Sequence, residues 1–345
     1  MESPLAPLYA RWILEYLGAP LPVEVRAKCA DCSMIRPRAI PCASDAVFHP
    51  NTKCCTFMPE LPNFLVGSVL DDPSPDSAAG RKFFEQQALA RAVINPLGVF
   101  PTAEYSMLYR FNSRNFGRLE SLRCPYYMVE ADGACAIWRH RNGRCATWFC
   151  THERGSVSVV LWKYLDRLLA SVETSLARWC LLTLDLGSSA LSELIPASGD
   201  PPAGSKSVWG RWAGREREFF VECSRAVRAL SWNAVLEIAG PETHVLARLT
   251  RDAFRKWQSS VIPELLMRGA WKEETIVPGR LRVWSFSPFD PLELDSALLD
   301  ALSLFDGTSR TQEVLQKMER ERAIRLEPEL LQKLCDVRIL VEVES

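Results

Sequence analysis

The chain is 345 residues long, 48% hydrophobic and 24% charged, with a formal net charge of -1. That length suits two or three domains, each with its own core, and the near-neutral balance excludes a global pull towards nucleic acid or an anionic membrane. The longest apolar runs, such as Val157–Leu161 and Trp179–Leu182, fall far short of the roughly 20 residues a spanning helix needs.

In chain order, the first twenty residues carry Glu2 and Arg11 among apolar neighbours and predict a short amphipathic helix. They lack the basic start, unbroken apolar stretch and small-residue cleavage site of a secretory signal, so a cytoplasmic location is expected. Residues 20–75 are rich in Pro, Cys and turn formers and show no sustained period. Such a segment cannot bury enough apolar surface alone, and ligand bonds to a metal would substitute for a core. A surface loop is expected at Asp71-Asp72-Pro73-Ser74-Pro75 and a helix over 79–94. Residues 124–150 are again irregular, with turn chemistry at Gly133 and Asn142-Gly143. From Ser156 to Leu186 apolar residues recur at helical spacing and predict one long helix. A Gly/Pro/Ser linker at 196–207 precedes helices over 208–238 and 241–268. Short strands are expected at Thr275–Val277 and Leu281–Phe286 around the Pro278-Gly279 turn. Helices over 292–305, 309–321 and 327–336 follow, with Asp306-Gly307 stopping the first and a strand at Ile339–Val343 closing the chain. The expected fold class is α+β, mainly α-helical, with an irregular cysteine-rich metal-binding domain at 1–155, a helical domain at 156–270 and a small module at 271–345.

The cysteines carry the functional signal. Of 12, nine fall in the first 150 residues: Cys29, Cys32, Cys42, Cys54, Cys55, Cys124, Cys135, Cys145 and Cys150. In a reducing compartment thiols stay free, catalytic or metal-bound, and structural disulfides are rare. Singly, each would read as a buried small hydrophobe; nine in two groups read as metal ligands. The Cys29-Ala-Asp-Cys32 turn lets two thiolates reach one ion from a single tight loop, a spacing shared by zinc and iron–sulfur sites. Cys42, Cys54 and Cys55 follow closely, and Cys124, Cys135, Cys145 and Cys150 form the second group. An iron–sulfur cluster, most simply 4Fe-4S, is expected, with zinc as the alternative. Tyr126, Tyr127, Trp138, Trp148 and Phe149 would shield a cluster or simply pack a core, and Lys53, Arg123, Arg139 and Arg144 would offset its charge. For zinc, His49 and His152 are the histidines near enough in sequence to complete a site.

The run Gly133-x-Cys135-Ala-Ile-Trp-x-x-Arg141-x-x-x-Cys145-x-Thr-Trp-Phe-Cys150, with Cys124 upstream, resembles a bacterial cysteine-cluster family described as zinc- or iron-chelating. The likeness covers about residues 25–155. It implies eight ligands: Cys29, Cys32, Cys54 and Cys55, then Cys124, Cys135, Cys145 and Cys150. The chain departs from that pattern where 21 residues, including Cys42, separate the CxxC from the adjacent pair, and where Asn142 stands in place of the usual Pro. The resemblance implies a site but no reaction.

From about 275 the order strand, strand, helix, helix, helix, strand weakly resembles a winged-helix module of the pyrroloquinoline-quinone-chaperone type. This resemblance implies a protein or peptide partner bound by strand addition at a sheet edge. A DNA-reading winged helix would want a basic recognition helix, and Gln316–Arg322 alternates in sign instead, so no nucleic-acid or membrane partner is expected. No Gly-rich phosphate loop, CxxCH or CxxxCxxC pattern is present, and no catalytic residue is defined. The sequence therefore predicts a cytoplasmic metal-binding protein acting in electron transfer or as an accessory or maturation factor. An oxidoreductase using the cluster in catalysis, and a structural zinc scaffold, are the alternatives.

Overall fold

The computed structural model describes residues 5–25, 27, 29–35, 47–85, 92–194 and 206–343, and Cys42 lies outside them. Two apolar cores organise these residues, a larger one drawn from Leu5 to Ala247 and a smaller one from Leu266 to Leu340. The molecule is mainly helical with small antiparallel sheets.

The long helix Gly155–Thr183 is the axis of the larger core. It buries Leu161, Trp162, Leu165, Leu168, Leu169, Val172 and Leu176 at helical spacing. The N-terminal helix Pro7–Leu17 buries Tyr9, Trp12 and Ile13 and closes at Gly18 in the left-handed conformation, φ 72°. Helices Asn63–Asp71, Glu216–Arg228, Trp232–Ala239 and Pro241–Gln258 complete the bundle. Asn63–Asp71 and Glu216–Arg228 cross so closely that a Cβ on Gly67 would lie 1.7 Å from the Phe220 carbonyl oxygen. Beside them a small sheet sets Gly98–Pro101 between Leu61–Pro62 and Ala92–Asn95.

The smaller core lies under two sheets. One is the meander Lys272–Val277, Arg280–Trp284 and Leu292–Asp295. The other places Leu265–Arg268 between Asp306–Arg310 and Leu340–Glu342. Helices Ser296–Ala301, Thr311–Arg322 and Pro328–Asp336 pack on them. The joint with the long helix is polar. Arg154 makes a bidentate pair with Asp336 (2.9 and 2.7 Å) and donates to the carbonyls of Trp257 and Ser259. Ser156 Oγ donates to the Asp336 carbonyl at 2.7 Å and Lys333 Nζ to that of Glu153 at 3.1 Å.

Several elements differ from the sequence reading. The segment read as irregular at 20–75 contains the helix Asn63–Asp71, buried from Asn63 through Leu70. The helix expected over 79–94 is helical over Ala78–Glu85, and Ala92–Asn95 is a strand. The 208–238 helix is three pieces: Gly214 (φ 80°) turns the chain before Glu216–Arg228, and Ser231 caps a separate helix Trp232–Ala239. The 241–268 helix stops at Gln258, where Ser259 turns to extended backbone (φ -79°, ψ 133°), and Leu265–Arg268 becomes a central strand. Residues 292–295 and 306–310 are strands around a short helix, where helices over 292–305 and 309–321 parted by an Asp306-Gly307 stop were expected. The larger core also crosses position 155 without interruption, so the boundary expected there separates no two cores. Among the described residues no helix is long and apolar enough to cross a membrane.

Candidate metal centre

Eight of the nine predicted ligands are described, and all eight are free of disulfides. Four short segments carry them, and ties between the segments bring them near one another. Lys53 is the first tie. It is a non-glycine residue in the left-handed region, φ 47°, a conformation that persists only where surroundings enforce it. Its buried ammonium donates to the Cys29 carbonyl at 2.8 Å and the Asp132 carbonyl at 2.6 Å. One cation thus joins the CxxC loop, the Cys54-Cys55 loop and the turn before Cys135.

A second tie is the backbone bond from the Cys124 amide to the Cys55 carbonyl, 2.8 Å. Cys135 is folded back towards Cys124 by the two-residue strand pair Tyr127–Met128 and Ala134–Cys135, in which Tyr127 faces Cys135. The turn between these strands uses Asp132 (φ 51°) and Gly133 (φ 77°). A Cβ on Gly133 would lie 2.2 Å from the Tyr127 hydroxyl, which donates to the Pro50 carbonyl at 2.8 Å. Cys145 is placed by the five-residue helix Gly143–Thr147. Asn142 caps it, its Oδ1 accepting from the Cys145 amide at 3.0 Å, while its Nδ2 donates to the Glu60 carbonyl at 3.0 Å. The residue that replaces Pro in the resembled pattern therefore has a capping role here.

Two packing environments hold the sulfurs. Cys32, Cys54 and Cys150 belong to a small apolar cluster with Met34, Phe48, Phe116 and Phe289. Cys124, with Cys55 and Cys135 against it, belongs to the larger core, where Tyr126 is roofed by Phe83 and Phe84. Burial pushes the Cys124 and Cys145 thiols well above the ordinary range and those of Cys135 and Cys150 to about 11. Neighbouring sulfurs add to it: Cys135, Cys145 and Cys55 act on Cys124, and Cys32 and Cys29 act on Cys150. The Cys54 thiol donates to the Cys55 sulfur, which raises the first and lowers the second. Exposed Cys29 is raised as well, first by desolvation, with Arg141 opposing and Cys55 and Cys32 adding.

Several groups favour charged sulfur here. The amides of Tyr126 and Ile137, each two residues beyond a cysteine, favour the thiolates of Cys124 and Cys135. Arg141, whose guanidinium lies 3.5 Å over the Trp138 ring, acts on Cys29, Cys55, Cys135 and Cys145. Sequence reasoning missed Arg141 as the counter-charge although it stands inside the quoted motif. Of the four cations expected there, only Lys53 is built in among the cysteines. Arg123 pairs with Glu120, Arg139 with Asp72, and Arg144 with Asp166. His49 pairs with Glu120 at 3.2 Å, and His152 packs its ring against Phe149 and Phe286.

Two buried hydroxyls complete the donor set. Tyr126 is 1% exposed and its hydroxyl has no hydrogen-bond partner among the described residues, while burial first, and then Cys124, Cys135 and Cys145, raise its pKa. The Thr151 hydroxyl is likewise buried without a well-formed bond and lies beside Cys150, favouring its thiolate. An unmade bond of this kind costs about 1–3 kcal/mol, and an anionic sulfur ligand would satisfy each. Thiolate donors, amide and hydroxyl donors and two cations fit a thiolate-bound metal group. Closure is incomplete: among the described residues no three Cys, His, Asp or Glu side chains gather tightly enough around one point to hold an ion. Comparison with family models, with curated proteins and with solved structures gave no match for the chain.

Proposed function

We propose that this chain is a cytoplasmic metal-binding protein of the resembled cysteine-cluster type, holding iron–sulfur in preference to zinc and serving electron transfer or the maturation of a partner enzyme. The observation that supports the reading is the convergence of eight disulfide-free cysteines from four segments, with Lys53 and Arg141 among them. Cys29, Cys32, Cys54, Cys55, Cys124, Cys135, Cys145 and Cys150 would hold the group; Cys42 keeps its place as a candidate from sequence alone. An iron–sulfur cluster supplies one-electron chemistry when bound. The chain's own part is to deliver thiolates, exclude water with Phe83, Phe84 and Phe289, and aim amide and hydroxyl donors at sulfur, the contacts that tune a potential.

A protein or peptide partner belongs to this reading. The face of helix Ala103–Phe111 exposes Met107, Leu108 and Phe111, with Arg110 in its last turn and Glu104 in its first. Such an exposed apolar face suits a protein partner. The C-terminal module, read as winged-helix-like, offers the outer strand Lys272–Val277 as an edge for strand addition.

Anaerobic purification followed by an absorption spectrum and iron, sulfide and zinc analysis tests the proposal. A visible sulfur-to-iron band with iron and labile sulfide is the expected result. A colourless protein with stoichiometric zinc would shift the reading to a structural zinc scaffold, and a protein that takes up no metal would end it. Cys135→Ser or Cys145→Ser should lose metal, whereas Cys335→Ser, in the smaller core, should leave the content unchanged.

A further inference from the structure

We infer that the eight described cysteines form two separate four-thiolate centres, Cys29, Cys32, Cys54 and Cys150 in one and Cys55, Cys124, Cys135 and Cys145 in the other. The inference rests on the metal-binding reading above and adds number, membership and a difference in accessibility.

Packing draws the division first. Cys32, Cys54 and Cys150 share the small cluster built on Phe48 and capped by Phe289. Cys124, Cys55 and Cys135 share the larger core around Tyr126. Consecutive residues 54 and 55 thus pack on different apolar bodies, and the seam runs between them where their sulfurs meet. Backbone pinning agrees. Cys55 is tied to Cys124 through its carbonyl, and Cys135 is folded back to the same place by the Tyr127–Cys135 pairing. Cys145 immediately precedes Ala146 on the short helix Gly143–Thr147, and Ala146 is buried in the larger core.

Cys29 is exposed and belongs to neither apolar cluster. Its two-residue loop to Cys32 decides, because thiolates of one CxxC turn serve one centre. Four cysteines then remain for the second centre, which is full coordination for zinc or for an iron–sulfur cluster. Each group also has its own buried hydroxyl without a well-formed bond, Thr151 beside Cys150 and Tyr126 beside Cys124, Cys135 and Cys145.

The environments differ. The second centre lies within the larger core, whereas the first is covered by Phe289, from the chain beyond the meander strand Arg280–Trp284, through edge contacts with Phe48 at 5.5 Å and Trp148 at 6.5 Å. The first should therefore give up its metal to a chelator faster.

The test uses full-length protein loaded with zinc and, separately, reconstituted with iron and sulfide. Unaltered protein should hold two centres' worth of metal and release it to a chelator in two phases of equal size. Cys32→Ser and Cys54→Ser should each keep half and lose the fast phase; Cys135→Ser and Cys55→Ser should keep half and lose the slow one. Phe289→Ala keeps all ligands in place and so answers even if the cysteine variants do not fold; it should speed the fast phase alone. One centre's worth of metal in the unaltered protein, or all metal lost in any single cysteine variant, would overturn the division while leaving metal binding intact. No metal in the unaltered protein would overturn both.

Discussion

At the scale of single residues the cysteine site depends on a few conformations with no substitute. Gly133 has φ 77° and faces the Tyr127 hydroxyl. Gly133→Ala should lower thermal stability by about 1–3 kcal/mol, through strain and displacement of Tyr127; an unchanged melting midpoint would contradict that geometry. Tyr126→Phe separates the two states of the site. In metal-free protein, removing a buried hydroxyl without a partner should be neutral or stabilising by about 1 kcal/mol. In metal-loaded protein the same change should destabilise, because the hydroxyl then has a sulfur acceptor. Denaturant melts of both forms would show the change of sign, and a gain in both would rule out that acceptor. At this scale the sequence was informative about chemistry and poor about neighbours. The cysteines are readable because their grouping is improbable for core residues, but the roles of Lys53 and Arg141 depend on segments 24 and 79 positions away from Lys53 and on ring stacking, which no local pattern encodes.

At the scale of elements, the long helix holds the titrating group with the clearest consequence. Glu173 is buried in it, and its Oε1 accepts from the Tyr9 hydroxyl at 2.6 Å and the Gly143 amide at 2.6 Å. Burial raises its pKa from 4.5 to about 7, with Asp166 and Glu60 adding and the two donors opposing. The folded state therefore binds the proton more tightly than the unfolded one. This stabilising contribution is complete below pH 4.5 and is lost as pH rises towards 7, a change of a few kcal/mol at about 1.4 kcal/mol per pH unit. Glu173→Gln keeps both acceptor bonds and should flatten stability against pH across that window; a variant with the original slope would refute the assignment. Helices with one apolar stripe, such as Gly155–Thr183, were readable from period alone. Asn63–Asp71 was not, because eight consecutive buried residues leave no polar face to reveal the period. Its Gly67 records the helix contact that the pattern cannot. Gly67→Ala should cost about 3 kcal/mol or more by forcing the chain away from the Phe220 carbonyl, measurable as a lowered denaturant midpoint.

At the scale of the whole molecule, the Arg154–Asp336 pair ties the long helix to the C-terminal helix Pro328–Asp336, and Phe289 packs on the cysteine cluster. Both partners of the pair are largely buried, at 17% and 7% side-chain exposure. Asp336→Ala strands the guanidinium and should cost about 3 kcal/mol, with cleavage by added protease rising in the chain beyond Gln258; unchanged protection would show the joint to be unimportant. The fold class was readable from the alternation of periods, but the strands of the smaller core were partly absorbed into helices. Leu265–Arg268 and Asp306–Arg310 are short, and their pairing is long-range, so tertiary context decides them. The first-named boundary at 155 followed a change in composition, whereas packing places residues on both sides of it in one core.

The central claim is that thiolates from distant segments share bound metal, and X-ray absorption at the metal edge of the purified protein measures this most directly. The account predicts a first shell of sulfur alone, at about 2.3 Å for zinc, that weakens in Cys135→Ser. A first shell of oxygen or nitrogen, or a spectrum unaltered by that substitution, would contradict it.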